Sequence, residues 1–399
     1  MKLILRDTYL NELSELINTP DIKIITGIRR SGKSKLLEAL KDLITASDPS
    51  ANIIHINYNL TEFEELNEYH MLESYVEDKY SAEDNNYVLI DEIQMCEHFE
   101  KAVNSLHAKE KYDIYITGSN AFLQSSDLAT LFVGRTYEVH ILPFSFKEYV
   151  TYFPSENVNA SLTKYITEGG MAGSYLYKDT DKKYRYINTE VLNALVIRDI
   201  VNKYKIRNEP LLHMLIDFMM DNIGSEISVR SITDSLAGGK AAADHKTIGK
   251  YIEYLCNAFA FYRIRRYDIK GKKYLRSEDK YYLSDHSFKY ARLGTKNMDY
   301  GHVLENIVAM ELIRRGYEIY VGVAGGKEVD FVAMKQGDRT YIQVSYDITE
   351  PKTFEREIAP LLKIADGYKK MIIARTYQPE YHHEGIKIID AAEWLLGDS

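Results

Sequence analysis

The stretch Ile24-Ile25-Thr26-Gly27-Ile28-Arg29-Arg30-Ser31-Gly32-Lys33-Ser34 constrains this chain more than any other. Gly27, Gly32, Lys33 and Ser34 fit the spacing G-x-x-x-x-G-K-[ST], with an apolar run over 22–25 before it and a helical run over 35–43 after it. Glycines are required where a backbone wraps a phosphate chain closely enough for successive N–H groups to reach its oxygens. The helix that opens at Gly32 to Ser34 aims its unpaired donors and its positive dipole end at the same anion. Lys33 is therefore expected to meet phosphate as a point charge and Ser34 to ligate Mg²⁺, with Gly27, Arg30, Ser31, Gly32 and Lys35 around the nucleotide. Without a ligand, the same residues make a glycine turn between a strand and a helix.

A length of 399 residues exceeds what one core fills, so about two to four units are expected. Apolar residues at 45% and charged residues at 27% describe an ordinary globular chain rather than a disordered one. A net charge of -9 argues against a protein that coats nucleic acid over its whole surface and leaves room for a local basic patch. Cys96 and Cys256, far apart, form neither a disulfide framework nor a zinc pattern. Charge returns at Arg6-Asp7 before a signal-peptide core is complete, and no apolar run approaches a membrane span. A cytoplasmic protein without membrane contact is expected.

Residues 1–20 read as an amphipathic helix stopped by Pro20. Strands are expected at 52–58, 87–90, 112–117 and 137–142. The second of these ends in Asp91-Glu92, 58 positions after Lys33. A strand buried in a parallel sheet carries both acids to the carboxyl edge, where phosphates bind. Asp91 is expected in the Mg²⁺ shell, and Glu92 as the group that orients and deprotonates the attacking water. Alone, such an acidic strand end is only a solvated terminus. After Thr117-Gly118, Ser119 or Asn120 reads equally as a sensor of the γ-phosphate or lytic water and as an ordinary turn.

From 144 to 207 the pattern is helical, which suits a lid, and is interrupted by Glu168-Gly169-Gly170-Met171-Ala172-Gly173. Residues 208–290 pattern as three helices and two strand-like pieces, 261–267 and 280–283, around a basic tip, the layout of a winged helix. Arg263, Arg265, Arg266, Lys270, Lys272, Lys273 and Arg276 place seven positive charges against Asp268 within fourteen residues. Lys270, Lys272 and Lys273 read either as a grip on DNA phosphates or as a solvated hairpin or a surface for a protein partner or the neighbouring domain.

The order Gly-x4-Gly-Lys-Ser, Ile-Asp-Glu-Ile-Gln, Thr-Gly-Ser-Asn, Val-Gly-Arg-Thr and Leu-Pro-Phe-Ser-Phe resembles the AAA+-type ATPases that carry a C-terminal restriction-endonuclease-like domain. The resemblance implies an α/β protein. Its five-stranded parallel P-loop ATPase sheet lies in 1–143, with the sensor strand between the Asp-Glu strand and the loop strand. A helical lid over 144–207, a winged-helix domain over 208–290 and a restriction-endonuclease-like α/β domain over 291–399 follow. ATP and Mg²⁺ are the implied ligands; preference for ATP over GTP rests on the resemblance, since no Asn-Lys-x-Asp pattern follows the fourth strand. Arg135, just before the fifth strand, is implied to reach the γ-phosphate of a neighbouring subunit, and a homo-oligomer comes with it. A local helix cap or ion pair is its alternative. Related ATPases place a proline shortly after the paired glycines, against the base or sugar. Ala172 stands there here, and the glycines read equally as a helix break.

Nucleases of the implied C-terminal fold bind Mg²⁺ through an Asp and a Glu and activate water with a Lys, as Asp-(spacer)-Glu-x-Lys. Asp330 fits the first acid, and Glu305, on an expected amphipathic helix over 301–312, supplies another. Where Glu-x-Lys is needed the chain has Gln343-Val344-Ser345. Gln343 lacks the charge a hard cation prefers and Ser345 lacks the ammonium, so a degenerate nuclease domain is expected. The expected function is an ATPase that switches or remodels. The alternatives are an ATP-gated DNA nuclease and an ATP-binding DNA- or protein-interaction module with negligible turnover.

Overall fold

The computed structural model describes residues 4–118, 131–132, 134–236, 244–275, 278–295 and 298–397; Ser119, Asn120 and Arg276 lie outside the described residues. The chain divides into two compact units, Met1–Ile141 and Leu142–Ser399.

The first unit runs α1 (Asp7–Glu15), β1 (Ile22–Thr26), α2 (Lys33–Ser47), β2 (Asn52–Asn57), α3 (Tyr69–Asp78), β3 (Asn86–Asp91), α4 (Phe99–Ala108), β4 (Asp113–Thr117) and β5 (Thr136–His140). The strands form one parallel sheet in the order β2-β3-β4-β1-β5. This is the expected α/β architecture, with β4 between the acidic strand and the loop strand. Every residue of β1, β3 and β4 is buried, whereas the edge strands β2 and β5 are buried only in part. A parallel sheet covered on both faces makes its central strands apolar throughout. Leu36, Leu37 and Leu40 of α2 with Leu10 and Leu13 of α1 cover Ile25, Leu89 and Tyr115 on one face. Leu72 and Val76 of α3 with Val103 and Leu106 of α4 cover Ile24, Val88, Ile90 and Ile116 on the other.

At the amino edge Lys23 is fully buried, and its Nζ donates to Asp113 Oδ1 at 2.5 Å and to Thr19 O at 2.6 Å. The pair helps specify which strand lies beside β1, because an unpaired buried charge costs about 3–5 kcal/mol. Helix α1 is shorter than the expected 1–20. Asn18 adopts φ 61° and its N–H donates to Asp113 Oδ2 at 2.8 Å, so a tertiary bond accompanies the turn before Pro20.

The second unit opens with helices Phe146–Tyr152, Val158–Glu168 and Thr180–Tyr186, then the wide-turn π segments Ile187–Asn193 and Leu195–Asn202. Helices Glu209–Asp221, Val229–Leu236 and His245–Asn257 lead to β6 (Phe261–Ile264), β7 (Arg266–Asp268), β8 (Lys273–Tyr274) and β9 (Lys280–Leu283). The strand expected over 261–267 is broken at Arg265. Strand β6 pairs with β9, whereas β7 pairs with β8 and, in parallel, with β10 (Glu318–Ala324). With β11 (Lys327–Lys335), β12 (Asp338–Ser345), β13 (Lys369–Ala374), β14 (Tyr381–His383) and β15 (Ile386–Asp390) they build an eight-stranded sheet, β14-β15-β13-β12-β11-β10-β7-β8. Strands as short as β7 and β8 carry too few alternations to announce their partners in sequence.

The helix Tyr300–Arg314, expected to be amphipathic, is buried continuously from Val303 to Leu312. Its polar members are satisfied inside: Asn306 exchanges two bonds with the Leu283 main chain at 2.7 and 2.9 Å, and Glu311 accepts from Arg314 at 3.1 Å and Arg315 at 2.9 Å. Such groups look solvated in sequence because only their partners reveal the burial. The paired glycines form a packed joint. A Cβ on Gly169 would lie 2.2 Å from Asp285 Oδ1 and one on Gly170 2.2 Å from Phe144 O, while Gly170 N donates to Asp285 Oδ2 at 2.7 Å. That packing accounts for both glycines without a nucleotide. Among the described residues no helix is long and apolar enough to cross a membrane.

Candidate functional site

Strand β1 delivers the chain to the carboxyl edge of the first sheet, where Gly27 (φ 143°), Arg30 (φ 66°) and Gly32 (φ 102°) all have positive φ within six residues. Turns of alternating hand can curl successive N–H groups toward one point and form a nest for an anion. A Cβ on Gly27 would stand 2.3 Å from Ile141 O, too close for any side chain. Helix α2 starts directly after Gly32, which has no side chain to cap it, so its first-turn donors suit a ligand.

Lys33 is buried, and its Nζ donates to Gly27 O at 2.8 Å and Ile28 O at 3.3 Å, which holds the ammonium across the loop. Ser34 follows, half-buried. The Oγ of Ser31 is buried without a hydrogen-bond partner, a polar atom that a bound anion satisfies. Arg6 braces the loop: its Nη1 donates to Ser31 O at 2.9 Å, and its guanidinium lies 4.7 Å from the Tyr9 ring centroid. The side chain of Lys35 is not brought to the loop, because its Nζ pairs with Glu38 Oε2 at 2.5 Å on the exposed face of α2. Arg30 is exposed.

Asp91, at the end of β3, is 1% exposed. Its Oδ1 accepts from Thr117 Oγ1 at 2.5 Å, and its Oδ2 is buried with no hydrogen-bond partner. The same Thr117 hydroxyl accepts the Glu92 N–H at 3.3 Å, so one side chain of β4 ties both acidic residues. Glu92 is half-buried in the left-handed region (φ 59°, ψ 46°), and its Oε2 accepts from Gln94 Nε2. A non-glycine residue held there stores on the order of 1 kcal/mol, a strain found most often at functional sites. Arg135 stands at the opposite edge of the sheet: its carbonyl accepts from Ile22 N at 2.9 Å, and Ile22 pairs with Thr136. The five residues of β1 span about 16 Å, so the exposed Arg135 stands about that far along the strand from the loop.

Residues 19–150 match the family described as an AAA domain, and residues 159–299 match a domain of unknown function. An uncharacterized protein of Haemophilus influenzae is 36% identical over 400 residues, covering 99% of each chain. This chain belongs to one family with that protein, and it carries an AAA domain over residues 19–150. An uncharacterized protein of Methanocaldococcus jannaschii is 30% identical over 359 residues, 84% of this chain and 77% of its own. A Walker-type ATPase of Pyrococcus abyssi is similar in structure, with a TM-score of 0.43 and 16% identity over 73% of this chain and 96% of that one. The loop, Asp91 and Glu92 all lie within the matched segment, so the first unit of this family member is an AAA-type P-loop ATPase domain.

A second group of buried polar residues gathers beside the eight-stranded sheet, where Glu305 and Glu357 from helices and Asp330 and Gln343 from β11 and β12 line an open cleft of about 600 Å³. Lys280 of β9, 3% exposed, donates from Nζ to Glu305 Oε1 at 2.9 Å and to Glu328 Oε1 at 2.7 Å. Asp330 Oδ2 accepts from Val344 N at 2.7 Å; burial, and then the neighbouring Glu305, push its carboxyl well above the ordinary range. Gln343 donates from Nε2 to Glu357 Oε2 at 2.9 Å, and Ser345, also on the cleft wall, donates from Oγ to Asp347 O at 3.0 Å.

Sequence reasoning missed Lys280, which reaches this cleft from a strand 63 positions before Gln343. Its one local signal is a lysine opening the wholly apolar-and-tyrosine run Lys280–Leu283. Thr117, Gln94 and Arg6 were missed as well, although the first two sit inside the motifs Thr-Gly-Ser-Asn and Ile-Asp-Glu-Ile-Gln.

Proposed function

We propose that the first unit binds ATP with Mg²⁺ and hydrolyses it, and that the cytoplasmic protein uses this cycle as a switch or remodelling device. One observation carries the reading: a nest-forming loop and a buried Asp91 with one unsatisfied oxygen lie at the same sheet edge, on strands separated by β4. In this reading Gly27, Arg30, Ser31, Gly32 and Lys33 cradle the phosphates, Lys35 takes part through its main chain, and Ser34 and Asp91 Oδ2 hold the metal shell. Glu92 accepts the proton of the attacking water. Mg²⁺ supplies charge neutralisation at the phosphate oxygens. Lys33 exchanges two neutral carbonyls for charged oxygens, which favours the ligand. Ser119 or Asn120 as sensor, and Arg135 as a finger within a homo-oligomer, complete the proposal.

The three helices before β6 and β9 support a winged helix over 208–290. The order Tyr300–Arg314, β10, β11, β12, Pro351–Leu362, β13, with two antiparallel pairings and one parallel, supports a restriction-endonuclease-like fold over 291–399. The exposed Lys270, Lys272 and Lys273 beside Tyr274, itself 60% exposed, favour a DNA or acidic protein partner.

Calorimetry and steady-state kinetics test the reading together. Lys33→Ala is expected to lose nucleotide binding. Glu92→Gln is expected to keep it while kcat falls by about 10²–10⁴-fold. Unchanged affinity in the first variant overturns the site, and undiminished turnover in the second reduces the protein to an ATP-binding module.

A further inference from the structure

The nuclease-like reading of the second unit implies a divalent cation held by Asp330 and Glu305, and the residues present do not fit one. A hard dication needs about six oxygen ligands and prefers carboxylate oxygens open to it. Here one oxygen of each of these carboxylates is already engaged. Glu305 Oε1 accepts from Lys280 Nζ at 2.9 Å and from Tyr282 OH at 2.5 Å, Glu328 Oε1 accepts from Lys280 at 2.7 Å, and Asp330 Oδ2 accepts from Val344 N at 2.7 Å. Gln343, in place of an acid, donates to Glu357 Oε2 at 2.9 Å. Among the described residues no group of three or more His, Cys, Asp or Glu is arranged to hold a metal ion.

Lys280 is not a surface side chain folded inward. All four residues of β9 are buried, and the ladder Lys280↔Ile264 to Leu283↔Phe261 fixes where the strand runs. Its ammonium therefore has a set position, with two carboxylates from different elements drawn onto it. A buried cation hydrogen-bonded to two anions performs the charge balance that a dication performs elsewhere, and breaking it strands the anions.

We propose that Lys280 is a built-in replacement for a metal ion: its ammonium holds Glu305 and Glu328 together, and the cleft takes up no divalent cation. This inference stands apart from the ATPase reading. The cleft walls carry six carboxylates against Lys280, Lys327 and Arg356, a balance that also repels a phosphodiester backbone. Loss of the ammonium leaves the carboxylates unpaired, and a dication then becomes their best available partner.

The test uses the full chain without nucleotide, titrated with Mn²⁺ by calorimetry and followed by thermal unfolding. Wild type is expected to show no Glu305-dependent binding heat and no rise in Tm. Lys280→Ala is expected to unfold at lower temperature and to regain most of the lost Tm on addition of Mn²⁺, a recovery abolished by adding Glu305→Gln. Saturable Mn²⁺ binding by wild type that Glu305→Gln removes overturns the proposal. So does a folded Lys280→Ala protein that ignores Mn²⁺. If Lys280→Ala does not fold, the wild-type titration decides: absence of Glu305-dependent binding supports the proposal and its presence overturns it.

Discussion

One hydroxyl organises the acidic end of β3. Thr117 Oγ1 donates to Asp91 Oδ1 at 2.5 Å and accepts the Glu92 N–H at 3.3 Å, so it orients the carboxylate assigned to the metal shell and anchors the backbone of the residue assigned to the water. Thr117→Val keeps the volume and removes the donor. Because Asp91 is 1% exposed, the orphaned oxygen is expected to cost about 1–3 kcal/mol in urea unfolding. Turnover is expected to fall far more than nucleotide affinity, since the phosphate loop stays intact. Kinetics that separate kcat from KM check this, and a purely structural role predicts no such split. That the loop glycines, Lys33, Asp91 and Glu92 come to one edge of the sheet was legible from spacing, because a loop after a strand and an acid at a strand end are written locally. Thr117 was not, because its importance depends on the register that puts β4 beside β3.

At the scale of elements, the joint between the helix Val158–Glu168 and the turn into Ser287–Leu293 has a titratable group at its centre. His286 is fully enclosed, its Nε2 lying 2.8 Å from Tyr165 O. Burial, opposed by the smaller pull of Asp285, holds its pKa below the usual 6.5. The unfolded chain takes up a proton near pH 6.5 that the folded chain refuses. This group's contribution is therefore complete above that pH and is lost as the pH falls toward its lowered folded pKa. Replacement by a ring that cannot charge, His286→Phe, is expected to flatten the fall in Tm between about pH 7 and 5. A Tm profile parallel to wild type is the contrary result. The glycine pair that marks this joint was visible in the sequence, but its partner Asp285 lies 115 residues away from Gly170. Adenine contact and helix break were therefore equally legible.

For the whole molecule, the division of the chain decides which pieces fold alone. Strands β7 and β8 precede residue 291 yet extend the eight-stranded sheet, and Lys280 of β9 neutralises Glu305 and Glu328. A fragment of 291–399 is expected to be unfolded or aggregated, because it exposes the edge of β10 and leaves two carboxylates without their cation. A fragment of 142–399 is expected to fold, with circular dichroism and thermal unfolding as the readout. By itself the sequence marked the strands of the parallel sheet and the glycine-lysine loop, because buried strands and such a turn write their requirements locally, whereas the place of β4 between β3 and β1 came from the family resemblance. Tertiary structure alone decided that β7 joins a distant sheet, that the polar members of the helix Tyr300–Arg314 are buried with its apolar ones, and that a lysine stands among the acids. Each depends on a partner far along the chain, and burial paired across such a distance leaves no period in the sequence.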